Sequence, residues 1–293
     1  MTVRRKETLA GLLFAAPWIL GFSVFLAYPL AASVYYSFTD YSVLREPVFI
    51  GAQNYSDLMR DELFWKTLEN TLVFALLALP ASLVVSVGIA LLLNSRVKGM
   101  AFYRTAVYIP SLVPMIALAM IWLWMFNGER GLVNELLGGV GIKAPNWIGD
   151  PSWSKPALAL IALWGIGNAV VIYLAGLQDV PQSLYESAEL DGATPWKKTR
   201  FVTLPMISPV IQFNLIMGII AALQIFAVPY VMFPNGSPAR STYFYTMYLF
   251  DNAFRYQKMG YACAMGWILF LLIFALTMIA LRATEKRVHY GGV

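Results

Sequence analysis

The chain has 293 residues, of which 59% are hydrophobic and 13% are charged, and its formal net charge is +5. Together with a mean hydropathy of +0.64, these values indicate a polytopic membrane protein and exclude an ordinary soluble domain. The excess of basic residues is typical of membrane loops that face anionic lipid, and no motif points to a nucleic-acid partner.

Six intervals of the chain contain no charged residue, and they cover residues 8–39, 70–95, 105–128, 156–178, 201–239 and 259–281. The shortest, at 23 residues, would form a helix of about 35 Å, longer than the hydrocarbon core of about 30 Å. A soluble bundle would show a polar face every one or two turns, which these intervals lack. We therefore expect an all-α fold and a single transmembrane domain over residues 1–293. Its six spans are expected at about 9–36, 70–94, 105–127, 156–178, 209–232 and 259–281.

The positions of lysine and arginine predict the orientation of these spans. When the N-terminus is placed inside, twelve of the 21 basic residues fall in short cytoplasmic segments: Arg4, Arg5, Lys6, Arg96, Lys98, Arg104, Lys197, Lys198, Arg200, Arg282, Lys286 and Arg287. Short basic segments remain on the cytoplasmic side. We expect a multi-pass protein of the cytoplasmic (inner) membrane with both termini inside. Its basic N-terminus and the long apolar run that follows are interpreted as an uncleaved signal anchor.

A polar segment separates the fourth and fifth expected spans at residues 184–205, with the sequence LYESAELDGATPWKKTRFVTLP. Just before it, Pro181 and Ser183 favour the start of a helix. Asp191 and Gly192 end that helix, because glycine readily adopts the positive φ of a helix terminus. The pattern predicts a short amphipathic helix followed by a sharp turn.

A second helix is expected directly after this turn. Thr194 is a good N-cap, and Pro195 stands at the first helical position, where proline is tolerated. Ser208 and Pro209 repeat the same signal at the start of the next apolar interval. We therefore expect a cytoplasmic loop at about 179–208 that holds two helices and leads back into the membrane.

This loop resembles the EAA loop of the inner-membrane permease subunits of binding-protein-dependent ABC importers. The residues that match are Glu186, Ser187, Ala188, Asp191, Gly192, Ala193, Val202, Leu204 and Pro205. Ser187 replaces the usual alanine and Val202 the usual isoleucine, and both changes are conservative in volume. The resemblance implies an ATPase-coupling site formed by Tyr185, Glu186, Ser187, Ala188, Glu189, Asp191, Gly192, Ala193, Leu204 and Pro205.

Further segments extend the resemblance to the carbohydrate-uptake group of these permeases, which includes the maltose, glycerol-phosphate and lactose types. They are the run AYPLAASVYYSFTDY at 27–41, the loop at 49–55, Asn70-Thr71, Phe102-x-Arg104, and Gly236-Ser237-Pro238 before Thr242. The resemblance implies the type I permease fold of ABC importers. It also implies three partners: a second, related permease in a heterodimer, a dimer of ABC ATPases, and an extracytoplasmic solute-binding protein.

The chain itself is expected to be non-catalytic. It has no G-x-x-x-x-G-K-[ST] segment to cradle nucleotide phosphates, so ATP and Mg are expected in the partner ATPase and no cofactor in this chain. The HExxH and G-x-S-x-G motifs of membrane hydrolases are also absent. Cys263 and His289 are the single cysteine and histidine, so no disulfide or cysteine metal site can form within the chain.

The expected spans contain no acidic or basic residue and no histidine, which argues against most ion-coupled secondary transporters. A neutral solute such as a sugar needs hydrogen-bonding groups and aromatic or glycine surfaces. The fourth and fifth spans line the pathway in the related permeases, and their candidate pathway residues are Trp164, Gly165, Asn168, Asn214, Gly218 and Gln224. Packing between helices explains each of these residues about equally well. The alternatives are a permease of the same family for glycerol phosphate or an amino-acid-like solute, a passive channel, a secondary transporter and a membrane enzyme.

Overall fold

The structure, a computed structural model, describes residues 3–95 and 97–285, with side chains from residue 11 onwards. The basic residues Arg96, Lys286 and Arg287 and the single histidine, His289, lie outside the described residues. The side chains of Arg4, Arg5 and Lys6 also lie outside the described part.

The described part of the chain is almost entirely helical, which confirms the predicted all-α class. Its α-helices are α1 Val3–Phe22, α2 Tyr28–Ser37, α3 Gln53–Arg60, α4 Glu62–Leu93, α5 Met100–Tyr108, α6 Met115–Met125, α7 Leu132–Gly139, α8 Pro151–Trp164, α9 Gly167–Gln178, α10 Gln182–Leu190, α11 Pro195–Lys198, α12 Leu204–Met206, α13 Ser208–Leu223, α14 Ala227–Met232, α15 Tyr245–Phe250 and α16 Met259–Glu285. Turns of π-helix occupy Ser23–Ala27, Thr199–Thr203 and Asp251–Arg255, and 3₁₀ turns occupy Ile109–Leu112 and Pro234–Gly236. Two short antiparallel strands pair Thr39–Asp40 with Val48–Phe49.

Four helical stretches in the described residues are long and apolar enough to cross a membrane: Gly11–Ser37, Glu62–Leu93, Ser208–Met232 and Met259–Glu285. Two bent pairs bring the number to six if each pair is one span. The first pair, Met100–Leu112 and Met115–Met125, is bent by 100°. The second, Pro151–Trp164 and Gly167–Gln178, is bent by 48°.

A proline accounts for the first bend. Val113 is extended before Pro114, because a residue that precedes proline is pushed out of the helical region. The chain therefore turns sharply in the interval for which the sequence predicts one straight span at 105–127. In the other pair, α8 ends with Gly165 as its C-cap, and α9 begins two residues later.

The chain divides into two compact units, one made of residues 1–62 and 249–270 and the other of residues 63–248 and 271–293. In the first unit, the amide of Asn54 donates to the backbone oxygens of Ser37 and Thr39, at 2.9 Å each. Tyr261 donates to the carboxylate of Asp61 at 2.7 Å. These bonds fix the loop after α2 and the start of α16 within this unit.

In the second unit, α4 holds the chain segment that precedes α15. The buried amide of Asn70 donates to the backbone oxygens of Arg240 and Tyr243, at 2.8 and 3.0 Å. The hydroxyl of Thr71 accepts from the backbone N–H of Tyr245 at 2.9 Å. A buried amide or hydroxyl is stable only when it is hydrogen-bonded, so these polar side chains of α4 specify where the segment lies.

A core of the second unit lies where α4, α9 and the start of α13 meet. Its buried members are Ala90, Leu93, Ile166, Val170, Tyr173, Leu174, Leu177 and Ile207. Close contacts between helices surround it, because a Cβ on Gly176 of α9 would lie 2.7 Å from the side chain of Val210 on α13. Small residues of this kind let membrane helices approach closely.

Candidate functional site

The predicted coupling loop begins with α10, which ends at a glycine in the left-handed conformation. Gly192 has φ +72°, as the sequence predicts. The N–H of Gly192 donates to Glu189 O at 3.0 Å, and the N–H of Ala193 donates to Ala188 O at 2.9 Å. This pair of bonds is the Schellman motif, which satisfies carbonyl groups at the helix end. The end of α10 is therefore defined by backbone geometry.

The second helix of the loop and α13 both start where the sequence predicts, although Ser208 is not the capping residue of α13. The hydroxyl of Thr194 accepts from the N–H of Lys197, and Pro195 is the first residue of α11. Ser208 does not cap α13, because its hydroxyl donates to Pro205 O at 2.6 Å, and Ile207 is the N-cap residue. Its hydroxyl satisfies a carbonyl of the preceding turn.

Two side-chain contacts hold α10 against the residues that follow it. The hydroxyl groups of Tyr185 and Thr203 are 3.0 Å apart and share a hydrogen bond. The ammonium group of Lys198 lies 2.6 Å from the carboxylate of Glu189. Glu189 therefore has an ion-pair partner within the chain, and its contact with the ATPase stays a prediction. Glu186 is exposed and makes no hydrogen bond or ion pair with any described residue.

The end of the loop enters the protein interior. Thr203 lies in the π-helical turn and is buried. Leu204 is half-buried and packs against the core of α4 and α9, next to buried Ile207. Leu204 and Pro205 thus lie apart from the exposed face of α10, although the resemblance groups them with it. They connect the loop to the core.

Large apolar side chains are exposed on the loop. Leu190 is 91% exposed, Trp196 is 72% exposed and Phe201 is 71% exposed. A polar loop that exposes several large apolar groups is typical of a surface that binds another protein.

A cavity of about 460 Å³ lies between α4, α9 and α13, within the second unit. Its size falls in the range of small-molecule sites, which are roughly 300 to 1,000 Å³. Four of the six candidate pathway residues line it: Gly165, Asn168, Asn214 and Gly218. The structure therefore brings together residues that are up to 53 positions apart in the sequence.

The polar groups of this cavity are uncharged. Asn168 is exposed, and its amide makes no hydrogen bond within the described part of the chain. Asn214 donates to Val210 O at 2.9 Å, so its NH₂ group is partly used by its own helix. Ser82 and Tyr173 also line the wall. Among the described residues that line the cavity, none carries a charge.

Gly218 has a packing role as well as a place in the cavity wall. A Cβ on Gly218 would meet the terminal methyl group of Leu79 on α4, so a larger residue at this position requires the Leu79 side chain to change rotamer. At Gly165 the nearest atom to an added Cβ is Ala162 O at 3.8 Å, which is an ordinary contact.

Trp164 and Gln224 do not line this cavity, and their place along the solute pathway stays a prediction. Residues four apart in a continuous helix share a face, but the helix breaks between Trp164 and Asn168. Trp164 ends α8 and packs edge-on against Trp122 with ring centroids 5.9 Å apart. Gln224 is the exposed C-cap residue of α13, beyond the cavity.

The sequence analysis missed the contribution of α4 to the cavity. Ser82 and Ser86 are four residues apart in an apolar helix and therefore share a face. This spacing is a signal that could have found them. Tyr173 and Phe213 also line the cavity and have no signal of this kind, because aromatic residues are common throughout the membrane helices.

The cavity and the loop are built from the same helices. The loop leaves the end of α9 and returns through α13, and both helices line the cavity. The apolar core at Ile207 and Leu177 lies between them.

Comparison with known families agrees with this architecture. The family model of the binding-protein-dependent transport system inner membrane component matches residues 82–290. The chain belongs to this family. It is a permease of the ABC importer type. Two relatives whose names give a substrate transport sulfoquinovosyl glycerol and lactose. The predicted resemblance to the carbohydrate-uptake group is confirmed.

Several relatives match this permease over nearly its whole length. It is 37% identical over 290 residues to the probable ABC transporter permease protein YesP of Bacillus subtilis strain 168, covering 98% of this chain and 94% of YesP. It is 34% identical to the sulfoquinovosyl glycerol transport system permease protein SmoG of Agrobacterium fabrum strain C58, covering 96% and 92%. It is 30% identical to the lactose transport system permease protein LacF of Rhizobium radiobacter, covering 98% and 97%.

The permease fold also has a solved counterpart. A chain in the crystal structure of a bacterial ABC transporter for the acidic polysaccharide alginate is similar, with a TM-score of 0.83, 23% identity and coverage of 97% of both chains. A second structure shows that transporter with an alginate pentasaccharide-bound periplasmic protein. The predicted ABC importer permease fold is confirmed.

Proposed function

We propose that this permease is the translocation-pore subunit of an ATP-driven importer for a sugar or a related neutral solute. The observation that supports this most directly is the uncharged cavity between α4, α9 and α13. Its amide and hydroxyl groups can exchange hydrogen bonds with the hydroxyl groups of a sugar, and its walls are otherwise apolar. A buried ionic solute would require a charged partner, whereas a neutral solute requires only hydrogen bonds.

The loop at 179–208 is proposed to couple this pore to a separate ATPase. The helix α10 presents Glu186 and exposed Leu190 to a partner, while Tyr185 and Glu189 tie the helix to the residues that follow. A helix tied in this way transmits movement to α13 and does not bend away from it. Closure of the ATPase dimer on ATP would then shift α9 and α13 as a rigid group and change the access to the cavity.

The remaining parts of the importer are proposed to be separate proteins. ATP and Mg belong to the ATPase, and this chain performs no catalysis and binds no cofactor. A second, related permease completes the pore as a heterodimer, and an extracytoplasmic solute-binding protein delivers the solute. In this arrangement the chain lies in the inner membrane with both termini and the coupling loop in the cytoplasm.

Reconstitution in liposomes tests this function. The chain, its second permease, its ATPase and its binding protein would be assembled, and the uptake of labelled neutral oligosaccharides would be measured with and without ATP. We expect uptake that requires ATP and binding protein, and no ATP hydrolysis by the chain alone. Solute flux without ATP would indicate a passive channel, and flux driven by an ion gradient would indicate a secondary transporter. Preferential uptake of glycerol phosphate over neutral oligosaccharides would indicate a glycerol-phosphate permease.

A further inference from the structure

A second cavity of the same unit lies between α4 and the start of α8. Its volume is about 460 Å³, and it differs from the solute cavity in shape and chemistry. One wall consists of Val73, Leu76 and Leu77 on α4, and the rim consists of Ser152 and Lys155 on α8. The cavity is therefore apolar on one side and cationic on the other.

This cavity opens on a different face of α4 from the solute cavity. Val73, Leu76 and Leu77 follow the spacing of one helical face, whereas Leu79, Ser82 and Ser86 follow that of another. At 100° per residue these two faces are about 140° apart. Leu76 is 75% exposed, and it also lines an adjacent groove between α4, α13 and α16 whose walls are apolar throughout. The cationic rim is thus continuous with an apolar surface at membrane depth.

The charge of Lys155 is not balanced within the described residues. Lys155 is half-buried and makes no hydrogen bond or ion pair with them. The charged groups that act on it are Lys66 and Glu69, which form an ion pair with each other at 3.0 Å. The carboxylate of nearby Asp150 accepts from the N–H of Ser152 at 2.8 Å as the cap of α8.

Two aromatic residues indicate the depth of this rim. Trp65, at the start of α4, is 49% exposed, and Trp153, two residues before Lys155, is 41% exposed. Exposed tryptophans of membrane proteins concentrate at the level of the lipid headgroups. A lysine at this level turns its ammonium group toward headgroup phosphates while its methylene chain stays on apolar surface.

We propose that the cavity between α4 and α8 is a binding site for an anionic phospholipid. Lys155 and the hydroxyl of Ser152 receive the headgroup phosphate, and one acyl chain lies on Val73, Leu76 and Leu77 and continues into the adjacent groove. In the proposed orientation this lipid belongs to the outer leaflet. The site is distinct from the solute cavity, and the lipid would stabilise the seam between α4 and α8.

Lipid binding to the full-length, delipidated chain tests this proposal. Affinity for phosphatidylglycerol would be measured by native mass spectrometry in wild type, Lys155→Ala and Lys155→Arg. We expect Lys155→Ala to bind about fivefold more weakly, because a lysine near the membrane surface contributes about 1 kcal/mol to anionic lipid binding. Lys155→Arg should bind like wild type. The matched control is Lys143→Ala, which removes an exposed lysine from the loop before α8 and should change nothing.

Three further measurements distinguish a lipid from other molecules that could occupy the cavity between α4 and α8. Leu76→Trp fills the apolar wall and should weaken phosphatidylglycerol binding with Lys155 intact. Soluble glycerol phosphate should not displace the lipid at equal concentration, and phosphatidylcholine should bind more weakly than phosphatidylglycerol. The proposal is overturned if Lys155→Ala binds like Lys143→Ala, if glycerol phosphate competes equally, or if both lipids bind alike. It is also overturned if assembly with the second permease excludes the lipid, because the cavity would then be a permease interface.

Discussion

Asn168 and Gly218 line the same cavity but owe their positions to different forces. Asn168 is exposed, and its amide makes no hydrogen bond in the described part of the chain. Packing between helices therefore does not explain why an asparagine stands at this position. Gly218 allows Leu79 to approach, so packing explains it directly. The sequence offers no reason to treat the two residues differently. The structure distinguishes them by the contacts that each position makes.

We therefore predict opposite effects for substitutions at these two residues. Asn168→Leu should reduce substrate uptake by a factor that corresponds to about 1 to 3 kcal/mol, because a hydroxyl of the bound solute loses its partner. Its assembly and thermal stability should match wild type. Gly218→Val should instead lower the melting temperature of the complex, because the Leu79 side chain has to leave its rotamer to make room. Uptake and the melting temperature of purified complexes would be measured for both. Wild-type uptake by Asn168→Leu would remove this residue from the site.

At the scale of elements, α10 is a short helix whose orientation depends on its ends. Nothing lies within 4 Å of a Cβ added at Gly192, so a larger residue there meets no steric barrier. The only penalty is the positive φ, which costs a residue with a Cβ about 1 kcal/mol or more. The effect of a substitution at Gly192 thus reports on the direction of the helix and not on packing.

We predict that Gly192→Val uncouples transport from the ATPase. The strained turn should reorient α10, so the ATPase should copurify poorly and uptake should fall. Gly192→Asn is the matched control, because asparagine tolerates the left-handed conformation and should retain most activity. Glu186→Lys should also reduce ATPase retention, since it reverses a charge that has no partner in the described chain. If Gly192→Val and Glu186→Lys both kept wild-type uptake and ATPase retention, the coupling role of the loop would be wrong.

The elements that depend on local signals could be predicted from the sequence. The end of α10 at Gly192 and the start of α11 at Thr194 follow from residues within one turn. The bend before Pro114 could not be predicted from the absence of charge, because an apolar interval is the same whether its helix is straight or broken. Its proline is a local signal that the span assignment did not use.

Contacts between distant residues account for most of what the sequence could not show. Asn70 bonds to Arg240 O across 170 positions, and no local pattern specifies that pairing. The cavity is similar, since Ser82, Asn168 and Asn214 meet only because three helices pack at a particular rotation. Candidates on single helices could be named from spacing, but their common wall depends on tertiary packing.

At the scale of the whole molecule, the orientation in the membrane is still a prediction based on basic residues. Cys263 is the single cysteine of the sequence, so Cys263→Ala gives a background without thiols. In that background, a cysteine replacing exposed Lys143 should react with an impermeant maleimide in intact spheroplasts. A cysteine replacing exposed Lys197 should react only after permeabilisation. The opposite pattern of labelling would reverse the orientation, and the thiol-free background should show no labelling.

The π-helical turn at Thr199–Thr203 has a consequence for the evolution of this loop. Surface loops commonly tolerate insertions and deletions. Here the deletion of one residue between Lys198 and Thr203 would rotate everything before the turn by about 100° relative to α13. Glu189 bonds to Lys198, which lies before the deleted position, and Tyr185 bonds to Thr203, which lies after it. After such a deletion the two bonds could no longer form together. Alignments of functional relatives should therefore be free of gaps in this stretch, even where the surrounding residue types vary.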